Sequence, residues 1–334
     1  MGLVSGQALA AGNVTVISYG GASKEAQVHA FYKPFEQATG KKIVAGEWNG
    51  EMAKLKAMVS TNSVSWDVLD VEDTDLARGC DDGLFEQLDY ERLGIKETLV
   101  DGAKSDCGVG IFVWSNVLAY NADKLKTAPQ GWKDFWDLKK FPGKRSLRKS
   151  ARGSLEFALM ADGVAPSDVY KVLSTPAGVD RAFAKLDEIK SSIQWWEAGA
   201  QPPQYLMAGD VVMSSAYNGR IHAAKTSGAN LRVVWDGNLY QFDDWAIPKG
   251  TPNIDAAYQF ISFAMRPDQQ KLYTEKMAYG PSNTAAAAML DKDLVADLPT
   301  TPANMKSGLQ MDVAFWLDHG EALEERFISW SSRK

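Results

Sequence analysis

The stretch Val14-Thr15-Val16-Ile17-Ser18-Tyr19-Gly20-Gly21-Ala22-Ser23 decides the fold class. It opens on a β-branched run and turns at paired glycines. Lys24 to Thr39 then sets Val28, Phe31, Tyr32 and Phe35 at helical spacing before Gly40 stops the helix. Strand, glycine turn and amphipathic helix form one βα unit, and the pattern repeats outward from it. Lys42 to Ala45 is predicted as a second strand, Glu51 to Ser60 as a helix, and Trp66 to Val71 and Val109 to Trp114 as further strands. From Asn116 the pattern restarts. Leu118 to Asn121 reads as a crossing segment, Trp132 to Leu138, Leu155 to Ala161 and Ala182 to Ser191 as helices, and Val211 to Ser214 and Leu231 to Trp235 as short strands. The helix Ile254 to Met265 has an apolar face of Ala257, Phe260, Ile261 and Ala264. Alternating strands and helices of this kind predict an α/β fold of two lobes, joined by more than one crossing and separated by a cleft.

Composition narrows the function classes. The chain has 334 residues, 45% hydrophobic, with 36 Lys+Arg against 42 Asp+Glu, a net charge of −6 and 2 Cys. That length supplies core enough for two domains without disulfide staples. The net charge provides no global basic field, which argues against nucleic acid as a partner. No apolar run approaches the roughly 18 residues of a membrane helix. Leu3, Val4 and Ala8-Leu9-Ala10-Ala11 have the small-x-small character of an export cleavage site, so 1–12 is read as a residual signal or tag segment; a plain tail is the alternative. In an exported chain Cys80 and Cys107 would pair as a disulfide, and otherwise they are two buried thiols.

Motifs for catalysis are weak. His29, His222 and His319 are far apart and no metal-ligand spacing occurs, so neither a metal nor a cofactor is expected. Ser146-Leu147-Arg148-Lys149 matches S-x-x-K without its companion motifs. An enzyme reading would need Cys80 or Cys107 as nucleophile, with a histidine supplied by the fold.

Charge and aromatic residues are arranged more pointedly. Residues 67–91 hold ten acids against Arg78 alone, and residues 139–152 hold seven bases and no acid. Such runs are usually solvated faces, but one on each lobe would also assist closure. Trp195-Trp196, Tyr217-Asn218-Gly219-Arg220, Tyr240-Gln241-Phe242-Asp243-Asp244-Trp245 and Tyr279-Gly280-Pro281 set rings beside charges or amides at expected element ends, where small-molecule sites are built. Asp243 and Asp244 suit an ammonium, and the planar fork of Arg220 suits a carboxylate.

Five segments in order carry a resemblance: Trp66-Asp67-Val68-Leu69-Asp70-Val71, Val117-Leu118-Ala119-Tyr120-Asn121, Tyr217-Asn218-Gly219, Trp245-Ala246-Ile247-Pro248 and Tyr279-Gly280-Pro281-Ser282-Asn283. From about Asn13 onward the chain resembles the spermidine/putrescine-binding periplasmic proteins, solute receptors of ABC importers. The resemblance implies a type II periplasmic binding protein fold with a hinged interlobe cleft. Lobe 1 is expected at 13–115 plus 247–302 and lobe 2 at 116–246 plus 303–334. It also implies export to the periplasm, a monomer, and an inner-membrane ABC permease as partner; a signalling receptor is the alternative.

Carried over by motif, the acid that grips a terminal amine falls on Asp244, with Phe242, Tyr217, Tyr279 and Gln310 around it. Two departures redirect the ligand. Lys149-Ser150 stands before Ala151-Arg152 where polyamine binders carry an acidic pair, and Gly20-Gly21 stands where they carry aromatics. Ser150, Arg152, Gly20 and Gly21 therefore join the candidate site as groups suited to an anion. A small amino compound with a carboxylate at its other end, such as 4-aminobutyrate, matches Asp244 or Asp243 together with Arg220, while Tyr217, Phe242 and Trp196 pack its methylenes. Some relatives resemble binders of that molecule. A polyamine is the alternative ligand.

Overall fold

The computed structural model describes residues 12–95 and 98–333, so the segment read as an export signal lies outside the described residues. Among the described residues ten strands form one sheet: β1 (Val14–Ser18), β2 (Ile43–Glu47), β3 (Val68–Glu72), β4 (Gly108–Asn121), β5 (Arg145–Arg148), β6 (Ile193–Trp196), β7 (Met213–Tyr217), β8 (Leu231–Ala246), β9 (Gly280–Pro281) and β10 (Leu309–Gln310). The main order is β2-β1-β3-β8-β4-β7-β5-β6. Parallel pairs β1–β2, β1–β3, β5–β6 and β5–β7 lie on either side of a central antiparallel pair, β4–β8. The βα unit at the N-terminus forms as expected, with the helix Gly21–Gln27 following the glycine turn.

The apolar residues collect on two sides of that central pair. One core joins Val14, Phe31, Phe112, Trp245 and Phe260. The other joins Leu118, Trp132, Phe157, Leu239, Trp316 and Phe327. Along β4 packing passes from one core to the other between Trp114 and Leu118, and along β8 between Leu239 and Tyr240. Tyr240 to Ala246 therefore pack with the first lobe, upstream of the boundary expected at 246/247.

Two sequence expectations change here. The strand and crossing segment expected at 109–114 and 118–121 are one strand, and Leu231 to Ala246 is one strand rather than a short one followed by an element end. Asn116 is carried through by partners on both edges, Leu239 and Tyr217, whereas Gly110 pairs on one edge and Gly237 lies in an unpaired stretch of the ladder. The misfits are absorbed as register shifts at Gly110/Phe112 and Asn116/Leu118.

A disulfide joins Cys80 at the end of the helix Asp73–Asp81 to Cys107 at the start of β4, with Cα atoms 5.8 Å apart. It takes up both cysteines of the chain, so neither thiol is free to serve as the nucleophile of the enzyme reading. With its ends 27 positions apart in sequence, chain entropy makes the cross-link worth about 3–4 kcal/mol. Replacing both cysteines by serine is expected to lower unfolding stability by that amount, read as a smaller urea midpoint with a somewhat steeper slope, because the unfolded chain expands without the cross-link.

Candidate functional site

Successive side chains of a strand point to opposite faces, and β8 is buried on both. Asp243 and Asp244 are therefore divided by the pleat. In the antiparallel register Glu72 pairs with Asp243, Val71 with Asp244 and Asp70 with Trp245. Asp70, Glu72 and Asp243 share one face, and Asp244 belongs to the other.

On the Asp243 face, Asp70 is fully buried and Asp243 is 7% exposed. Asp70 Oδ2 accepts from Gln27 Nε2 at 2.5 Å, and Asp243 Oδ1 accepts from Trp114 Nε1 at 2.8 Å. The two carboxyls lie close enough for each to feel the other's charge. Burial raises the Asp70 pKa from its ordinary 3.8 to about 7, with Glu72 adding to the rise. Burial, then the charges of Asp70 and Glu72, push Asp243 further the same way. Both shifts favour retention of a proton by this acid pair, while Tyr19, which accepts from the Glu72 amide at 3.2 Å, closes that side.

Three guanidiniums from the second lobe approach the same space. The helix Asn218–Thr226, whose Ile221 packs with Ala119 and Leu206, carries Arg220, and a side chain on Gly21 of the first lobe would come within 3.8 Å of Arg220 Nη2. Arg148 ends β5 and lies 5.9 Å from the centre of the Trp196 ring. Neither Arg148 nor Arg220 has a side-chain hydrogen bond or ion pair to a described residue. Arg152 is engaged: Nη1 donates to Thr74 Oγ1 at 3.2 Å and stands 3.8 Å from Glu72, so the acidic and basic runs do meet between the lobes.

Aromatic rings separate the two charges. Tyr217 meets Trp114 edge-on at 5.0 Å and Trp196 at 5.3 Å. Burial raises the Tyr217 pKa, and its hydroxyl lies in the field of Arg148, then Glu72 and Asp243. Burial likewise raises Tyr279, whose hydroxyl senses Arg220 and Asp243 together. This arrangement offers an acid pair, two guanidiniums without a hydrogen-bonded partner among the described residues, and ring faces between them.

The residues expected from sequence divide accordingly. Asp243, Arg220, Tyr217, Tyr279 and Gly21 come together. Trp196 is wholly buried behind Tyr217 and donates Nε1 to Ser215 Oγ at 3.0 Å. Gly20, with φ +73°, makes the turn that brings Gly21 forward. Ser150 gives its hydroxyl to Glu324 at 2.5 Å, and the amides of Ala151 and Arg152 bind the same carboxylate, so its role is to fix a helix start. Asp244, Phe242 and Gln310 are not brought to Arg220; they line a separate cavity on the other face of β8. Sequence reasoning passed over Asp70, Glu72, Tyr19, Trp114 and Arg148. Asp70 and Arg148 were hidden inside charge runs read as solvated, and Trp114 inside a strand read as core.

The folded protein holds the Asp70 proton more tightly than the unfolded chain does. Stability from this group is therefore full below pH about 3.8 and lost as pH rises through about 7. Asp73 and Glu156, both raised to about 7 mainly by burial, act in the same direction. The melting temperature of ligand-free protein is expected to fall between about pH 4 and pH 8, and Asp70→Asn to flatten that fall.

Known proteins share both the sequence and this architecture. The sequence profile described as Bacterial extracellular solute-binding protein matches residues 30–303. A gamma-aminobutyric acid-binding protein of Pseudomonas aeruginosa is 56% identical, the match covering 96% of this chain and 91% of the relative. The spermidine/putrescine-binding periplasmic protein of Salmonella typhimurium is 26% identical over 57% of this chain and 54% of its own length. A solved GABA receptor structure superposes with a TM-score of 0.88 at 35% identity, covering 96% of this chain and 98% of that one. With two lobes bridged by β4 and β8, a charged interlobe cleft and a family profile matched over most of its length, this chain belongs to the bacterial extracellular solute-binding protein family.

Proposed function

We propose that this protein is the periplasmic receptor of an ABC importer and captures 4-aminobutyrate by closure of its two lobes. The observation that carries this reading is the pairing, in one interlobe space, of a buried acid pair with two guanidiniums that have no hydrogen-bonded partner among the described residues. A ligand that neutralises both must bear opposite charges at its ends. An ammonium entering beside Asp243 and Asp70 favours the ionised form of both acids. A carboxylate entering beside Arg220, with Arg148 behind it, finds a planar fork suited to its two oxygens. The methylenes between lie against Tyr217 and Tyr279.

Because the acids sit on the first lobe and the guanidiniums on the second, the ligand bridges the lobes. Its differential affinity for the closed form drives closure. The permease in the inner membrane reads the closed face, the receptor acts as a monomer, and no chemical conversion takes place. The 56% identical relative, a gamma-aminobutyric acid-binding protein, supports this choice. A polyamine fits less well, since its second ammonium would meet Arg148 and Arg220 instead of an acid.

Calorimetry with 4-aminobutyrate is expected to show one site, with Arg220→Ala weakening it at least about thirtyfold, as truncating one partner of a buried charge pair does. Asp243→Asn should act comparably. Tight putrescine binding that survives Arg220→Ala, with no 4-aminobutyrate binding in the unsubstituted protein, would replace this reading by the polyamine one.

A further inference from the structure

On the far face of β8 from the cleft lies a second cavity of about 290 Å³, which neither the proposed function nor the relatives' names account for. It is walled by the helix Asp73–Asp81 and the Cys80–Cys107 disulfide on one side, and by Gln310 and Val313 on the other. Asp244 lines it, 3% exposed, and its carboxyl has no hydrogen bond or ion pair to any described residue. A buried carboxyl without a partner is costly unless something supplies a donor or a charge. Asp73 lines the same space, and Asp81 and Asp106 add further negative charge to its walls. No basic side chain is among the residues lining it.

The chemistry of the walls selects among cations. Among the described residues, no group of three or more His, Cys, Asp or Glu side chains is spaced to hold a metal ion. The ring of Phe242, 2% exposed, forms part of the lining together with the disulfide, Leu76 and Ala77. Two carboxyls beside an aromatic face and an apolar floor fit an alkylammonium, whose N–H donors meet the acids while its carbon chain and cationic end lie against the ring.

We infer that this hinge-side cavity is a second binding site, specific for small organic ammonium ions, in which Asp244 and Asp73 hold the ammonium and Phe242 packs its chain. Burial raises both acids, Asp73 to about 7, and an ammonium bound beside them would favour their ionised forms. The wall residues Gln310 and Val313 come from the segment that links the helix Pro302–Ser307 to the helix Val313–Ser332 of the second lobe, whereas Asp73 and the disulfide belong to the first. An occupant therefore touches both lobes at the pivot.

The test is calorimetric titration of putrescine and of n-butylammonium into the full chain, with its disulfide intact, and into three variants whose folding is checked by circular dichroism. Putrescine is expected to bind in the millimolar range or tighter. Asp244→Asn should weaken it about tenfold or more, and Ala77→Met, which fills the cavity and removes no charge, should do the same; Asp243→Asn should change it less than about twofold. n-Butylammonium, having a single cationic end, is expected to follow the same pattern. Absence of binding up to roughly 10 mM, retention in both Asp244→Asn and Ala77→Met, or loss in Asp243→Asn would overturn the site. Should Asp244→Asn fail to fold, Ala77→Met decides. Putrescine binding lost in Asp243→Asn but kept in Asp244→Asn and Ala77→Met would assign that binding to the main cleft, overturning the second site and favouring the polyamine reading; loss in Asp244→Asn and Ala77→Met alone supports the second site whatever the cleft binds.

Discussion

The antiparallel ladder of β4 and β8 is the constraint on which the rest of the molecule depends. It is the place where both cores touch one continuous stretch of backbone, and its pairing runs from Gly108↔Ala246 to Asn121↔Leu231. Because both strands are buried on both faces near their first-lobe ends, side-chain alternation has no solvent side to default to. Each residue of β8 is committed to one compartment or the other. A one-residue slip would exchange Asp243 with Asp244 and so carry the acid of the cleft into the hinge-side cavity.

Burying acids on one lobe and guanidiniums on the other leaves the empty receptor with unresolved electrostatics. Burial raises the Asp70 and Asp243 carboxyls and so disfavours their charged forms, and Arg152 stands 3.8 Å from Glu72, while Arg148 and Arg220 keep their charge without an ion-pair partner among the described residues. What remains is a matched deficit on the two sides, which a dipolar ligand removes and a simple cation or anion does not. Selectivity then follows from the charges that stay unpaired without the ligand as much as from contacts made with it.

Much of the fold was legible in the sequence because it is written in local pattern. The run Val14 to Ser18, the Gly20-Gly21 turn and the periodic Val28, Phe31, Tyr32, Phe35 each announce their element alone. The length of β4 and β8 was not legible, since Gly110, Asn116 and Gly237 read as breakers along the chain, and only the ladder, which pairs Asn116 on both edges and skips Gly237 at a register shift, carries the strands past them. The site was half legible. Arg220, Tyr217 and Tyr279 sit at or next to element ends where their neighbours flag them, but Asp70 and Arg148 lie in runs of like charge. Only register, a nonlocal property, separates Asp243 from Asp244 or lifts Asp70 out of an acidic run. Motif carry-over selected Asp244 because two adjacent aspartates look alike along a chain and differ only across a pleat.

The Gly20–Gly21 turn also limits how this receptor can diversify. Both glycines have positive φ, +73° and +57°, and a Cβ at position 20 would lie 2.9 Å from Glu47 Oε2. An aromatic lid at this point, on the side of the cleft facing Arg220, cannot be acquired in a single step. Backbone conformation and Glu47, itself tied to Lys24 at 2.7 Å, would have to change first. Mutational order is thereby restricted: descendants of this sequence reach new ligands more readily by altering Arg148, Tyr217 or Arg220 on the opposite lobe than by rebuilding the first turn.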